Sequence, residues 1–197
     1  MGPLSISGIT ERLSSGRTIP QTIRRSPMKS TGTLKVTTPT EREIAMTRVF
    51  DAPGRLVFDA WTKPELLKRW LGVRAGWSLA VCEIDLKVGG AYRFVWRGPD
   101  GAEMGMRGVY REIVPPERLV ATESFDDPWY PGEALDTTVL LEQGGKTTLT
   151  TTVLYESREA RDAVLKTPMA SGVAESYDKL AELLASTLAR ADSQVGA

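Results

Sequence analysis

The chain has 197 residues, 41% of them apolar, with 25 acidic groups balanced by 25 basic ones, the proportions of one globular domain with sequence to spare. It has no histidine and one cysteine, Cys82, which excludes an internal disulfide, a thiolate metal cluster, the usual zinc sites, and Ser-His or Cys-His nucleophile pairs. Six of the basic groups (Arg12, Arg17, Arg24, Arg25, Lys29 and Lys35) precede Glu41 against Glu11 alone, so the remainder is net acidic and offers nucleic acid no basic face.

Residues 1–40 are rich in Ser, Thr, Pro, Gly and Arg without a sustained apolar period, the pattern of a disordered or extended tail. Their acid-poor composition is like that of an organellar transit peptide; a floppy terminus, or translation starting at Met28, is the expectation adopted. The domain is assigned to 41–189 and a second short tail to 190–197.

From Glu43 the pattern becomes regular. Ile44, Met46 and Arg48 alternate with Ala45, Thr47 and Val49, as in a strand with one buried face. Asp51 is placed to cap a helix opened by Pro53, with Leu56, Val57, Ala60 and Trp61 on its apolar side. Thr62-Lys-Pro-Glu65 has capping-box spacing, predicting a second short helix through Leu66, Leu67, Trp70 and Leu71 that stops at Gly72. Six further strands follow, over 77–86, 91–97, 103–114, 118–125, 133–142 and 146–155, separated by turn chemistry such as Gly89-Gly90, Pro115-Pro116 and Gly144-Gly145. Short turns between consecutive strands indicate an antiparallel meander.

The period then changes. Ser157 is placed to cap a short helix, and Thr167-Pro168 to open a long one whose Met169, Val173, Tyr177, Leu180, Leu184 and Leu188 form one stripe. That stripe must lie across the sheet to leave water. Burying six such side chains is worth on the order of 10 kcal/mol before entropy.

The words Val49-Phe-Asp-Ala-Pro53, Val57-Phe-Asp-Ala-Trp-Thr62, Leu67-Lys-Arg-Trp70, Val88-Gly-Gly90, Pro115-Pro-Glu-Arg-Leu119 and Gly172-Val-Ala-Glu-Ser-Tyr-Asp-Lys-Leu180, in this order, resemble the START-like helix-grip superfamily. Within it they are similar to the subfamily named after activators of the heat-shock-protein-90 ATPase, over about 41–186. The resemblance implies an α+β fold: a curved antiparallel sheet of about seven strands, two short helices after the first strand, and a long C-terminal helix packed across the sheet. It also implies a mostly apolar cavity between helix and sheet that binds a hydrophobic small molecule such as a lipid. Where many relatives carry paired tryptophans or an aromatic with Gly-Pro, this chain reads Trp70-Leu71-Gly72-Val73, which implies a differently shaped mouth.

Strand alternation puts Tyr92, Phe94 and Trp96 on one face, Met104, Met106 and Tyr110 on one face of the next strand, and Ala121, Glu123 and Phe125 together further on. The residues expected to contact ligand are Trp70, Trp77, Phe94, Trp96, Met104, Met106, Phe125, Trp129, Met169, Val173 and Tyr177, with Trp61 a packing residue. No catalytic residue, metal ligand or cofactor is assigned. Glu83, Asp85, Arg93, Glu103, Arg107 and Glu123 are expected to be solvated or paired at the surface. Two other functions follow from the resemblance: a co-chaperone-like interaction domain, and a cyclase- or hydrolase-like enzyme using a cavity carboxylate. No bilayer span is present, and a cytoplasmic monomer or homodimer is expected.

Overall fold

A computed structural model describes residues 33–73 and 76–195; most of the N-terminal segment, with its tail and targeting readings, lies outside them. Strands β1 (Lys35–Thr37) and β2 (Glu43–Phe50) lead into helices α1 (Gly54–Thr62) and α2 (Pro64–Leu67). The meander is β3 (Ser78–Ile84), β4 (Ala91–Arg97), β5 (Glu103–Val114), β6 (Arg118–Phe125), β7 (Ala134–Gln143) and β8 (Lys146–Leu154). Helices α3 (Arg158–Leu165) and α4 (Met169–Val195) end it. All neighbours are antiparallel in the order β1-β2-β8-β7-β6-β5-β4-β3. The expected helix-grip architecture is therefore present, with one strand more than the seven read from sequence. That strand, β1, falls in the segment assigned to the tail; its three residues are too few to show a period.

The pairing of β2 with β8, from Glu43↔Leu154 to Phe50↔Thr147, brings the two ends of the domain together. Inward residues of the sheet meet the apolar stripe of α4, where Tyr177, Leu180, Leu183 and Leu184 are buried against Phe50, Phe58, Trp70 and Leu149. A second cluster gathers Ile44, Met46, Val153, Tyr155 and Val164 near α3. Arg48 clasps the two layers. Its side chain is on the inward face of β2, only 3% of the residue is exposed, and it reaches Asp178 of α4 at 2.7 Å. A buried guanidinium needs such a partner to offset its desolvation.

Local capping differs from expectation where tertiary partners compete. The N-cap of α1 is Pro53 without a side-chain cap bond, and Asp51 pairs with Lys146 of β8. The Gly54 N–H instead donates to Glu142 of β7 at 2.7 Å. The Thr62 hydroxyl donates back to the Phe58 carbonyl at 2.8 Å, leaving Lys63 as the N-cap of α2. The other two caps form as read: the Ala160 N–H donates to Ser157 Oγ at 3.1 Å, and the Met169 N–H to Thr167 Oγ1 at 3.3 Å. Gly144 and Gly145 both have positive φ, the requirement of a tight two-residue hairpin between twisted strands.

Candidate functional site

Between α4 and the inward face of the sheet lies a cavity of about 570 Å³. Its size falls within the few hundred to a thousand Å³ typical of small-molecule sites. The floor comes from alternate residues of β4 to β8; α4 contributes Gly172, Val173, Ser176 and Tyr177, and the α3–α4 junction adds Thr167 and Pro168. Along β4, Tyr92 and Phe94 have ring centroids 5.0 Å apart and Phe94 meets Trp96 edge-on at 6.2 Å. Tyr110 joins Tyr92 at 5.6 Å from the neighbouring strand. At the far end Phe125 and Trp129 approach to 4.5 Å, and Tyr130 packs edge-on to Tyr155 at 5.1 Å.

Of the residues expected at the site, Trp77, Phe94, Trp96, Met104, Met106, Phe125, Trp129, Met169, Val173 and Tyr177 all line this space. Trp70 does not. It is fully buried behind the wall, donates from Nε1 to the Ala60 carbonyl at 3.0 Å, and packs 4.7 Å from Trp61. Trp61, read as packing, lines the cavity instead. The two tryptophans thus exchange roles: the chain continues past α2 in turns through Leu71, and Trp70 packs against α1. Leu71 and Gly72 line one end of the cavity. Trp96 Nε1 donates to the Leu71 carbonyl at 3.0 Å and the Gly72 N–H to Ser176 Oγ at 3.1 Å, tying that segment to both sheet and helix. Gly72 has φ +67°, and a Cβ there would lie 2.2 Å from Trp96 Nε1, so no larger residue fits.

The polar chemistry of the wall is concentrated on β6 and β7. Glu123 faces Ala134, and Asp136 faces Ala121, so the two carboxylates are diagonal neighbours on one sheet face, about 7–8 Å apart along the backbone and within side-chain reach. Tyr130 donates to Glu123 Oε1 at 3.3 Å. Thr138 donates to Asp136 Oδ1 at 3.5 Å, and its hydroxyl also lies 3.1 Å from that of Thr151, itself 3.4 Å from the Tyr177 hydroxyl. Both carboxylates retain some accessible surface, but it is surface of the cavity they line, deep inside the protein. Burial raises the Glu123 pKa well above the ordinary carboxylate range, opposed only in part by the Tyr130 hydrogen bond. The Asp136 pKa is raised by burial and further by the charge of Glu123. The phenols of Tyr92, Tyr110, Tyr130, Tyr155 and Tyr177 are likewise pushed up, chiefly by burial, and stay protonated at neutrality.

Glu123 therefore lies in the cavity rather than at the surface. The other polar candidates are solvated or paired: Glu83 and Asp85 are exposed, Arg97 holds Glu103 at 2.7 Å, and Arg93 and Arg107 converge on Asp126. Asp136 carries the signal that sequence reasoning missed. Its strand points Val139 and Leu141 outward, the latter 65% exposed, while Asp136 and Thr138 point inward; hydrophobic alternation would choose the opposite face. Cys82 is buried under α2, and burial pushes its thiol up to about 11. Among the described residues no three His, Cys, Asp or Glu side chains gather in a metal-binding arrangement, and no helix is long and apolar enough to cross a membrane.

The geometry has counterparts among known proteins. A crystal structure of a protein from Rhodobacter sphaeroides is 35% identical, with a TM-score of 0.74 over 78% of this chain and 99% of that one. A protein from Chromobacterium violaceum is 28% identical with a TM-score of 0.60 over 74% and 99%. One from Nitrosomonas europaea, 24% identical with a TM-score of 0.68 over 77% and 99%, shares the fold. No curated protein matches the chain. Residues 51–185, which hold both short helices, the meander and most of α4, match the model of one family, and the chain belongs to it: the Activator of Hsp90 ATPase homolog 1-like proteins of the START-like superfamily.

Proposed function

We infer that this chain binds a small, mostly apolar molecule in the cavity between α4 and the sheet. The observation that carries the reading is the cavity itself, about 570 Å³ walled by aromatic and methionine side chains with few polar groups, the usual make-up of a small-molecule site. A ligand that binds only the folded state at a hundred times its Kd adds about 2.7 kcal/mol of stability. A thermal-shift screen with flavonoids, polyketide-like aromatics, fatty acids and hydrophobic amines is expected to find compounds that raise Tm by several degrees. Ala121→Leu, which places a side chain in the cavity floor, is expected to fold and to lose that shift. No shift with any compound, or an equal shift in the variant, overturns the reading.

A second reading is favoured by the carboxylate pair. An acid held protonated near neutrality beside a phenol is the equipment of a general acid–base catalyst, and such perturbed groups in a cavity mark candidate reaction sites. Turnover of an apolar substrate with a pH profile that disappears in E123Q would support it. The chaperone-partner reading has the family's description as its support; stimulation of the chaperone ATPase by the full chain would be its test.

A further inference from the structure

We propose that the cavity is selective for hydrophobic amines, holding an apolar, aromatic-sized body against the ring walls and its cationic nitrogen between Glu123 and Asp136. This rests on the reading of the cavity as a ligand site and adds the chemistry of the ligand.

Charge gives the first argument. Glu123 and Asp136 both face the cavity, whereas among the described residues no lysine or arginine lines it. A carboxylate taken out of water without a cation is strongly penalised; the described wall supplies none, so the pair is relieved only by one hydroxyl donor each and by taking up protons, which a cationic ligand would replace. Hydrogen bonding gives the second. Tyr130 meets one oxygen of Glu123 and Thr138 one oxygen of Asp136; among the described residues no donor meets the second oxygen of either. An ammonium group has three donors and a full positive charge, and the diagonal placement of the two side chains suits one nitrogen bridging both. Tyr92, Tyr110, Tyr130 and Tyr155 line the same cavity, and aromatic rings are favourable neighbours for a bound cation.

The same features exclude the opposite class. A fatty acid or other carboxylate would bring a third negative group beside two already short of compensation, and a neutral hydrocarbon would leave both oxygens unpaired. Sites built around buried hydrogen-bonding groups reject analogues that lack the matching group far more strongly than apolar pockets reject a misplaced methylene.

Three probes with one ring system separate these outcomes: naphthylethylamine, naphthylethanol and naphthylacetate, titrated calorimetrically into the full chain at pH about 8, where an alkylamine is still protonated. The amine is expected to bind at least about tenfold more tightly than the alcohol, with the acetate weakest. The E123Q/D136N double variant should bring amine and alcohol within about threefold of each other, chiefly by weakening the amine. The single variants E123Q and D136N, each costing part of the preference, serve if the double variant does not fold. An acetate that binds as well as the amine, or a preference that survives in the variants, overturns the amine proposal and leaves the cavity reading standing. If none of the three probes nor any compound of the wider screen binds, both fall together.

Discussion

Two carboxylates held in an apolar cavity tie stability to pH. Unfolded, Glu123 and Asp136 would titrate near about 4; folded, burial raises both, and Glu123 raises Asp136 further. A raised acid pKa means that the folded state keeps protons the unfolded chain has lost. The stability is therefore fully present below about pH 4 and drains away as pH climbs through neutrality to the folded values. Amide replacements remove the titration without changing shape. E123Q and D136N are each expected to melt several degrees above the parent at pH about 8.5, with the difference shrinking as pH falls and vanishing only below about pH 4, where the unfolded carboxylates are protonated as well. Thermal melts across that range check it; a gap independent of pH would show that the pair is not buried as described. Neither carboxylate could be placed from the sequence. Glu123 shares its strand face with Leu119, Ala121 and Phe125, but a carboxylate is ordinarily expected to be solvated, and Asp136 lies on a strand that turns valine and leucine outward.

At the scale of the element, what was legible followed from strong periods and what was not followed from competition. The α4 stripe, the six-strand meander and the caps at Ser157 and Thr167 could be read because each rests on local chemistry that nothing else contests. The cap of α1 could not, because Glu142 and Lys146 arrive from distant strands, and that of α2 could not, because the Thr62 hydroxyl turns back to the Phe58 carbonyl of the preceding helix. Trp70 was misplaced because both faces of this segment are apolar in sequence, and its indole is held by the Ala60 carbonyl and Trp61 of α1. Gly72, where that helical segment ends, is the most demanding single position of the junction. Gly72→Ala forces a side chain into the indole of Trp96 at a left-handed backbone angle. It is expected to cost about 2–4 kcal/mol, measurable as a lower midpoint in urea with an unchanged slope.

For the molecule as a whole, the fold was readable and the interior was not. An antiparallel sheet and an amphipathic helix need only alternate residues of the right class, and the ordered words from Val49 to Leu180 added the connectivity. Whether the space is filled or hollow depends on curvature and on side-chain volumes summed over six strands and four helices, which no single window of sequence contains. The same scale gives the lone cysteine a use. Cys82 sits beneath α2 with its thiol held largely protonated, so alkylation at pH about 8 should run on the order of a hundredfold slower than for a free thiol. Labelling then needs a local opening that exposes Cys82, and its rate is a clock for such openings. Because α2 and α4 share the cavity, a bound molecule should slow that clock further, and the thiol that does no chemistry becomes the molecule's own record of when the cavity opens.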